Sequence, residues 1–184
     1  MTGVSLLAAL IVVLQQLSMV IPPISGFSIS LVLLPIVLGA VVYGPGSGAL
    51  LGGIFGAVVY INCVTGADAG GAMVFQANPI LCFAVVMGKG IACGLVSGLV
   101  HDLVKTAAPR AAVVLSAAVC PIVNTGIFVI CMLAFYMDIL AQWAGGGNVL
   151  GYIFTGLLLC NFVPEFLINI FFGSAIHRIV RTMH

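Results

Sequence analysis

The chain has 184 residues, 63% of them hydrophobic and 5% charged, and five basic and four acidic side chains leave a formal net charge of +1. A soluble globular domain carries about 25% charged residues, so this sequence cannot cover a water-facing surface, and it offers no basic patch to nucleic acid. A soluble enzyme, a nucleic-acid binder and a disordered linker are excluded together. What remains is an all-α, polytopic integral membrane protein. At roughly 20 apolar residues per span, the length allows about six or seven spans, read as one membrane domain over residues 1–184.

Proline, glycine and polar clusters divide the sequence into six apolar stretches, at residues 4–21, 30–43, 46–62, 79–103, 110–136 and 149–178. The first lies in MTGVSLLAALIVVLQQLSMVI. It has no basic leading segment and outruns a signal-peptide core, so it reads as a span. The second is short and breaks at Tyr43-Gly44-Pro45-Gly46, which pairs it with the third as a tight helical hairpin. Gly44, Gly48, Gly52 and Gly56 recur every four residues through the third span, and Gly90, Gly94 and Gly98 do the same on the fourth. In lipid such small-residue stripes let helix backbones approach closely, either within the monomer or against a partner subunit.

Charge sets the orientation. Lys105 and Arg110 lie between spans four and five, and Arg178 and Arg181 follow span six. With six spans these segments fall on one side, which the positive-inside rule makes cytoplasmic. Both termini are then cytoplasmic. The opposite loops contain Asp68 and Asp138 and no Lys or Arg. They are glycine-rich, from Asn62 to Asn78 and from Met137 to Asn148, and read either as lids over an outward pocket or as plain connectors with Trp143 anchored at the interface. The six cysteines, Cys63, Cys82, Cys93, Cys120, Cys131 and Cys160, form no C-x-x-C pair and read as small hydrophobes.

Only Lys89 and Glu165 are charged and well inside a span. A lysine near the bilayer centre costs roughly 2.5–3.5 kcal/mol on insertion scales, so it needs an internal partner or a hydrated cavity. Counting about 1.5 Å per residue from the outer ends puts Lys89 about 16 Å deep and Asn124 and Asn161 each about 18 Å deep. Three polar residues from three spans thus share one level. Asn161, Glu165 and Asn169 follow a four-residue spacing as a stripe on span six, with Glu165 about 24 Å down. Ser116, Cys120, Asn124 and Phe128 line one face of span five, and Gln15 and Gln16 lie nearer the outer surface on span one. One cation among several amides suits a small ligand with a carboxylate and neutral polar groups. A buried Lys89–Glu165 ion pair with interhelical amide hydrogen bonds is the structural alternative. The candidate substrate-binding set is Lys89, Asn124, Asn161, Glu165 and Gln15. His101, Asp102 and Lys105 read as a solvated end of span four, and His177 and His184 as interfacial.

The sequence has no H-E-x-x-H, no P-loop and no G-x-S-x-G. Neither a catalytic constellation nor a cofactor or metal site is expected, and uphill transport would draw on an ion gradient or another subunit.

The run from Leu34 to Gly52 (LPIVLGAVVYGPGSGALLG) resembles the second and third spans of substrate-binding S components of energy-coupling factor (ECF) transporters, which take up vitamins in prokaryotes. The small six-span size and the segment from Pro121 to Phe128 (PIVNTGIF) are similar too. The resemblance implies a high-affinity vitamin-binding subunit in a prokaryotic plasma membrane. It would dock on a transmembrane coupling protein with two ATPases and topple to release its cargo inward. Small residues of span one contact the coupling subunit in that family; here Ser5 and Ala9 stand where a pair of alanines is common. Family substrates bind between the outer halves of spans four to six and the loop after span one, which corresponds to Lys89, Asn124 and Asn161. A single deep cation favours a monocarboxylate, and pantothenate, with one carboxylate, two hydroxyls and an amide, fits best. An autonomous ion-coupled transporter using Lys89 and Glu165, or a structural subunit of a membrane complex, are the rival expectations.

Overall fold

The computed structural model describes residues 2–20 and 31–182, and the side chains among them except at Val20 and 174–182. The described residues are almost wholly helical, with no strand among them: α1 (Thr2–Val20), α2 (Leu33–Tyr43), α3 (Pro45–Thr65), α4 (Ala69–Ala77), α5 (Pro79–Val104), α6 (Pro109–Phe135), α7 (Met137–Trp143), α8 (Val149–Tyr152), a π-helical segment (Ile153–Phe162) and α9 (Val163–Thr182). The last three run on without a break. Five helical stretches are long and apolar enough to cross a membrane, and α2 is a shorter apolar helix. Only a membrane-embedded chain tolerates the outer surface they present. Leu6, Leu10, Val13, Ile122, Phe154 and Phe171 are all exposed, and in hydrocarbon such side chains need no covering.

Local chemistry places the breaks. Proline occupies the first turn of α3, α5 and α6, where its missing N–H costs no hydrogen bond. Gly44, at φ 91°, makes the sharp α2–α3 corner, a backbone region that side-chain-bearing residues avoid. Gly66, at φ 77°, ends α3 in a left-handed cap. The Asn78 side chain accepts the Leu81 N–H at 3.0 Å and starts α5.

At α2 and the turn before it, Val32, Leu33, Ile36 and Val37 have no exposed surface. This short helix packs against α1, α3, α5, α6 and α9, so it forms the centre of the bundle. Eleven residues span only about 16 Å. The expected start of this stretch at residue 30, and the end of the first at residue 21, lie outside the described residues.

The most extensive contact is α3 against α5. The glycine stripes meet there. Gly48 faces the Gly94 carbonyl, Gly52 the Gly90 carbonyl and Gly56 the Val86 carbonyl, and Gly98 packs on Pro45. The stripes are therefore consumed in packing inside the monomer. Across α5 and α6, Ser97 Oγ donates to the Ser116 carbonyl at 3.0 Å and Ser116 Oγ donates to the Ser97 carbonyl at 2.7 Å, a fully buried reciprocal clasp.

The structure departs from the sequence expectation in two places. The glycine-rich segments between spans three and four and between five and six are not open loops, since each contains a short helix, α4 and α7. The last span is not one regular α-helix either. Its π segment ends at Phe162, so Asn161 stands on a wider turn, while Glu165 and Asn169 keep the regular four-residue spacing of α9.

Candidate functional site

Five helices and the π segment enclose a cavity of about 120 Å³, on the order of ten times the space a single water requires. Helix α1 contributes Gln15 and Met19, α3 contributes Phe55, Val59 and Cys63, and α5 contributes Cys82, Val85, Val86 and Lys89. From α6 come Asn124, Thr125 and Phe128; the π segment adds Asn161 and α9 adds Glu165. One end is formed by Asp68, Gly71 and Val74 at α4 and by Trp143 at the end of α7. Trp143 Nε1 donates to Met73 Sδ at 3.3 Å, joining α7 to α4 across that end. Tyr136 Oη donates to the Asn78 carbonyl at 3.2 Å and fastens the start of α7 to the α4–α5 corner.

The single cation sits against rings. Lys89 Nζ lies 4.9 Å from the centroid of Phe128 and 5.9 Å from that of Phe55, where the ring quadrupole attracts an ammonium. Among the described residues the ion pairs within 4.0 Å involve Asp102 with Lys105 and with His101, and none joins Lys89 to Glu165. The alternative of a direct Lys89–Glu165 bridge is not what the structure contains. Glu165 is 2% exposed, and its Oε1 accepts no hydrogen bond. Asn124 Oδ1 and Gln15 Oε1 are likewise buried without a donor. Buried polar atoms normally find partners in the protein; here three acceptors without one face a single cavity, and Asn62 Nδ2, His101 Nδ1 and Asn169 Oδ1 lack a hydrogen-bond partner away from it.

All five candidate residues, Lys89, Asn124, Asn161, Glu165 and Gln15, line this one cavity. Asn169 does not. It is fully buried and donates from Nδ2 to the Glu165 carbonyl at 2.8 Å, stiffening the first turn of α9. Gln16 turns away from the cavity, its Nε2 lying 3.5 Å from Asn62 Oδ1. Ser5 and Ala9 are both exposed on α1. At the far end of α5, Asp102 and Lys105 form an exposed pair at 2.6 Å, whereas His101 turns inward and is buried, unlike the solvated side chain expected there. The loop after α1, the side chains of His177, Arg178 and Arg181, and His184 lie outside the described residues.

Sequence reasoning missed Asp68, Trp143, Phe55, Thr125, Cys63 and Cys82 as cavity residues. Thr125 was within reach, since it adjoins Asn124 on the inward face of α6. Phe55 lies next to Gly56 on the glycine face, and tracing that face toward α5 would have found it. Asp68 and Trp143 lie in the two outer segments whose lid reading pointed toward a pocket, but nothing in the sequence singled out these side chains, which α4 and α7 bring to the cavity through tertiary folding. Among the described residues no group of three or more His, Cys, Asp or Glu side chains is arranged to hold a metal ion.

Fold and cavity together define a multi-pass membrane protein with an internal chamber lined by polar and apolar side chains. Residues 1–177 match the family of substrate-specific components of ECF transporters, and the chain belongs to that family. It is thus a substrate-binding subunit of a transporter for a vitamin or similar small nutrient, and its family works with ECF coupling and ATPase subunits. A search of curated proteins finds no match.

Proposed function

We propose that this subunit captures pantothenate, or a closely similar monocarboxylate, from outside a prokaryotic cell and delivers it to an ECF coupling module in the plasma membrane. The observation that carries this reading is Lys89, a cation set against Phe128 and Phe55 with no carboxylate among the described residues bridged to it. A ligand carboxylate is the natural counter-ion. Asn124, Asn161 and Gln15 offer hydrogen bonds to hydroxyls and an amide, and the two phenylalanine rings suit the ligand's dimethyl-substituted carbon. Both termini face the cytoplasm on this reading, and the chamber end bearing Asp68 and Trp143 faces outward.

Docking on the coupling subunit is assigned to the α1 face carrying Ser5 and Ala9, where exposed small side chains allow close helix approach. Uptake of labelled pantothenate in prokaryotic cells lacking their own route, supplied with this chain and a coupling module, tests the proposal. Competition by unlabelled pantothenate is expected. Competition by riboflavin alone would refute it.

A further inference from the structure

We propose that Glu165 reads hydroxyl or N–H donors on the ligand, so that the cavity selects a monoanion rich in donors and rejects a monoanion with an apolar tail. This deepens the reading above and rests on it. Its ground is the separation of the two ionisable groups. Lys89 is held by ring faces, and Glu165 is fully enclosed, with Oε1 accepting nothing from the protein. An enclosed carboxyl oxygen that meets no hydrogen-bond partner is costly. Its persistence here, on a turn fixed from behind by Asn169 Nδ2 bonded to the Glu165 carbonyl, points to a partner that arrives with the ligand.

Two neighbours repeat the pattern. Asn124 Oδ1 on α6 and Gln15 Oε1 on α1 are also enclosed acceptors without donors, and both line the same cavity as Glu165. Three acceptors from three helices face a chamber in which Lys89 is the one cation among the described residues. Such a chamber complements a molecule with an anionic group for Lys89 and two or three O–H or N–H groups for the acceptors. A fatty-acid-like anion would satisfy Lys89 and leave all three oxygens orphaned. A site built around buried hydrogen-bond partners discriminates strongly against a ligand that lacks them.

The test uses the full chain in detergent, with pantothenate and lipoate as paired probes, in wild type, Glu165→Gln and Glu165→Met. Calorimetry should give pantothenate at least about a hundredfold tighter than lipoate in wild type. Pantothenate affinity should fall roughly ten- to hundredfold in Glu165→Gln, and the preference over lipoate should shrink at least tenfold in Glu165→Met. An unchanged preference in both variants overturns the proposal. Melting of the ligand-free protein supplies an independent readout. Glu165→Met should melt at or above the wild-type temperature, because it removes an orphaned carboxylate. A fall of several degrees would mean that Glu165 has a structural partner and would overturn its role in ligand reading. If wild type binds neither probe, the pantothenate reading fails, and the ligand-free melting alone then decides for or against Glu165 as an unpartnered acceptor.

Discussion

Replacing Gly52 with alanine should loosen the α3–α5 crossing and with it one wall of the cavity. A methyl group at Gly52 points directly at the Gly90 carbonyl oxygen, a backbone atom that cannot swing aside. At Gly56, one turn on, the added carbon would lie 2.8 Å from the Val86 carbonyl oxygen, about 0.6 Å short of the 3.4 Å at which ordinary contact begins. At Gly53 the nearest atom is Ile91 Cγ1 at 3.5 Å, an ordinary contact. Overpacking costs about 1–3 kcal/mol, and Gly52, with the closest approach, belongs at the upper end. At roughly 2–4 °C per kcal/mol for a chain of this size, Gly52→Ala should lower the melting temperature by roughly 4–12 °C. Gly56→Ala should lower it by less, and Gly53→Ala should leave it unchanged or slightly raised. Thermal melting of the three variants in one detergent decides the matter. Equal melting of Gly52→Ala and Gly53→Ala would refute the claim that the glycine stripes set the helix separation.

Further consequences are open to measurement. Lys89→Met should weaken binding of an anionic ligand about 30-fold or more while shifting ligand-free melting little, because no ion pair is broken; calorimetry and melting on one preparation check both halves. Ser97→Ala removes one half of the α5–α6 clasp and should cost about 1 kcal/mol, within the range for interhelical hydrogen bonds in membranes, read as a small fall in melting temperature. Trp143→Ala opens the contact with Met73 and should speed ligand release roughly two- to tenfold, with the association rate little changed in stopped-flow traces.

The composition alone dictated a helical membrane protein, because 5% charge cannot solvate a chain of this length. Depth counting then placed Lys89, Asn124 and Asn161 on one level, and the cavity does gather them, along with Gln15 and Glu165. Such residues are conspicuous in sequence because an amide or ammonium in hydrocarbon demands a reason. Less visible was how each side chain would be satisfied. Lys89 and Glu165, the two intramembrane charges, invite pairing on paper, yet Lys89 settles on Phe128 and Phe55, a choice made by the packing of α3, α5 and α6. Asn169 belonged to the same stripe on paper, but it stands one turn beyond Glu165 on α9, where its amide is spent on the Glu165 carbonyl. Asp68 and Trp143 sit in segments whose glycines suggested open loops, and α4 and α7 form there only against the rest of the bundle.

The most direct test is thermal melting of the purified, monodisperse chain against a panel of vitamins, without any coupling subunit. A ligand at 100 times its Kd stabilises the folded state by about 2.7 kcal/mol, a rise of roughly 5–11 °C for a chain of this size. The cavity around Lys89 and Glu165 predicts one strong response, from a monocarboxylate bearing hydroxyl or amide donors, with pantothenate foremost. A response confined to uncharged compounds, or none at all from well-folded protein, would contradict the assignment of this chamber to a small anionic nutrient.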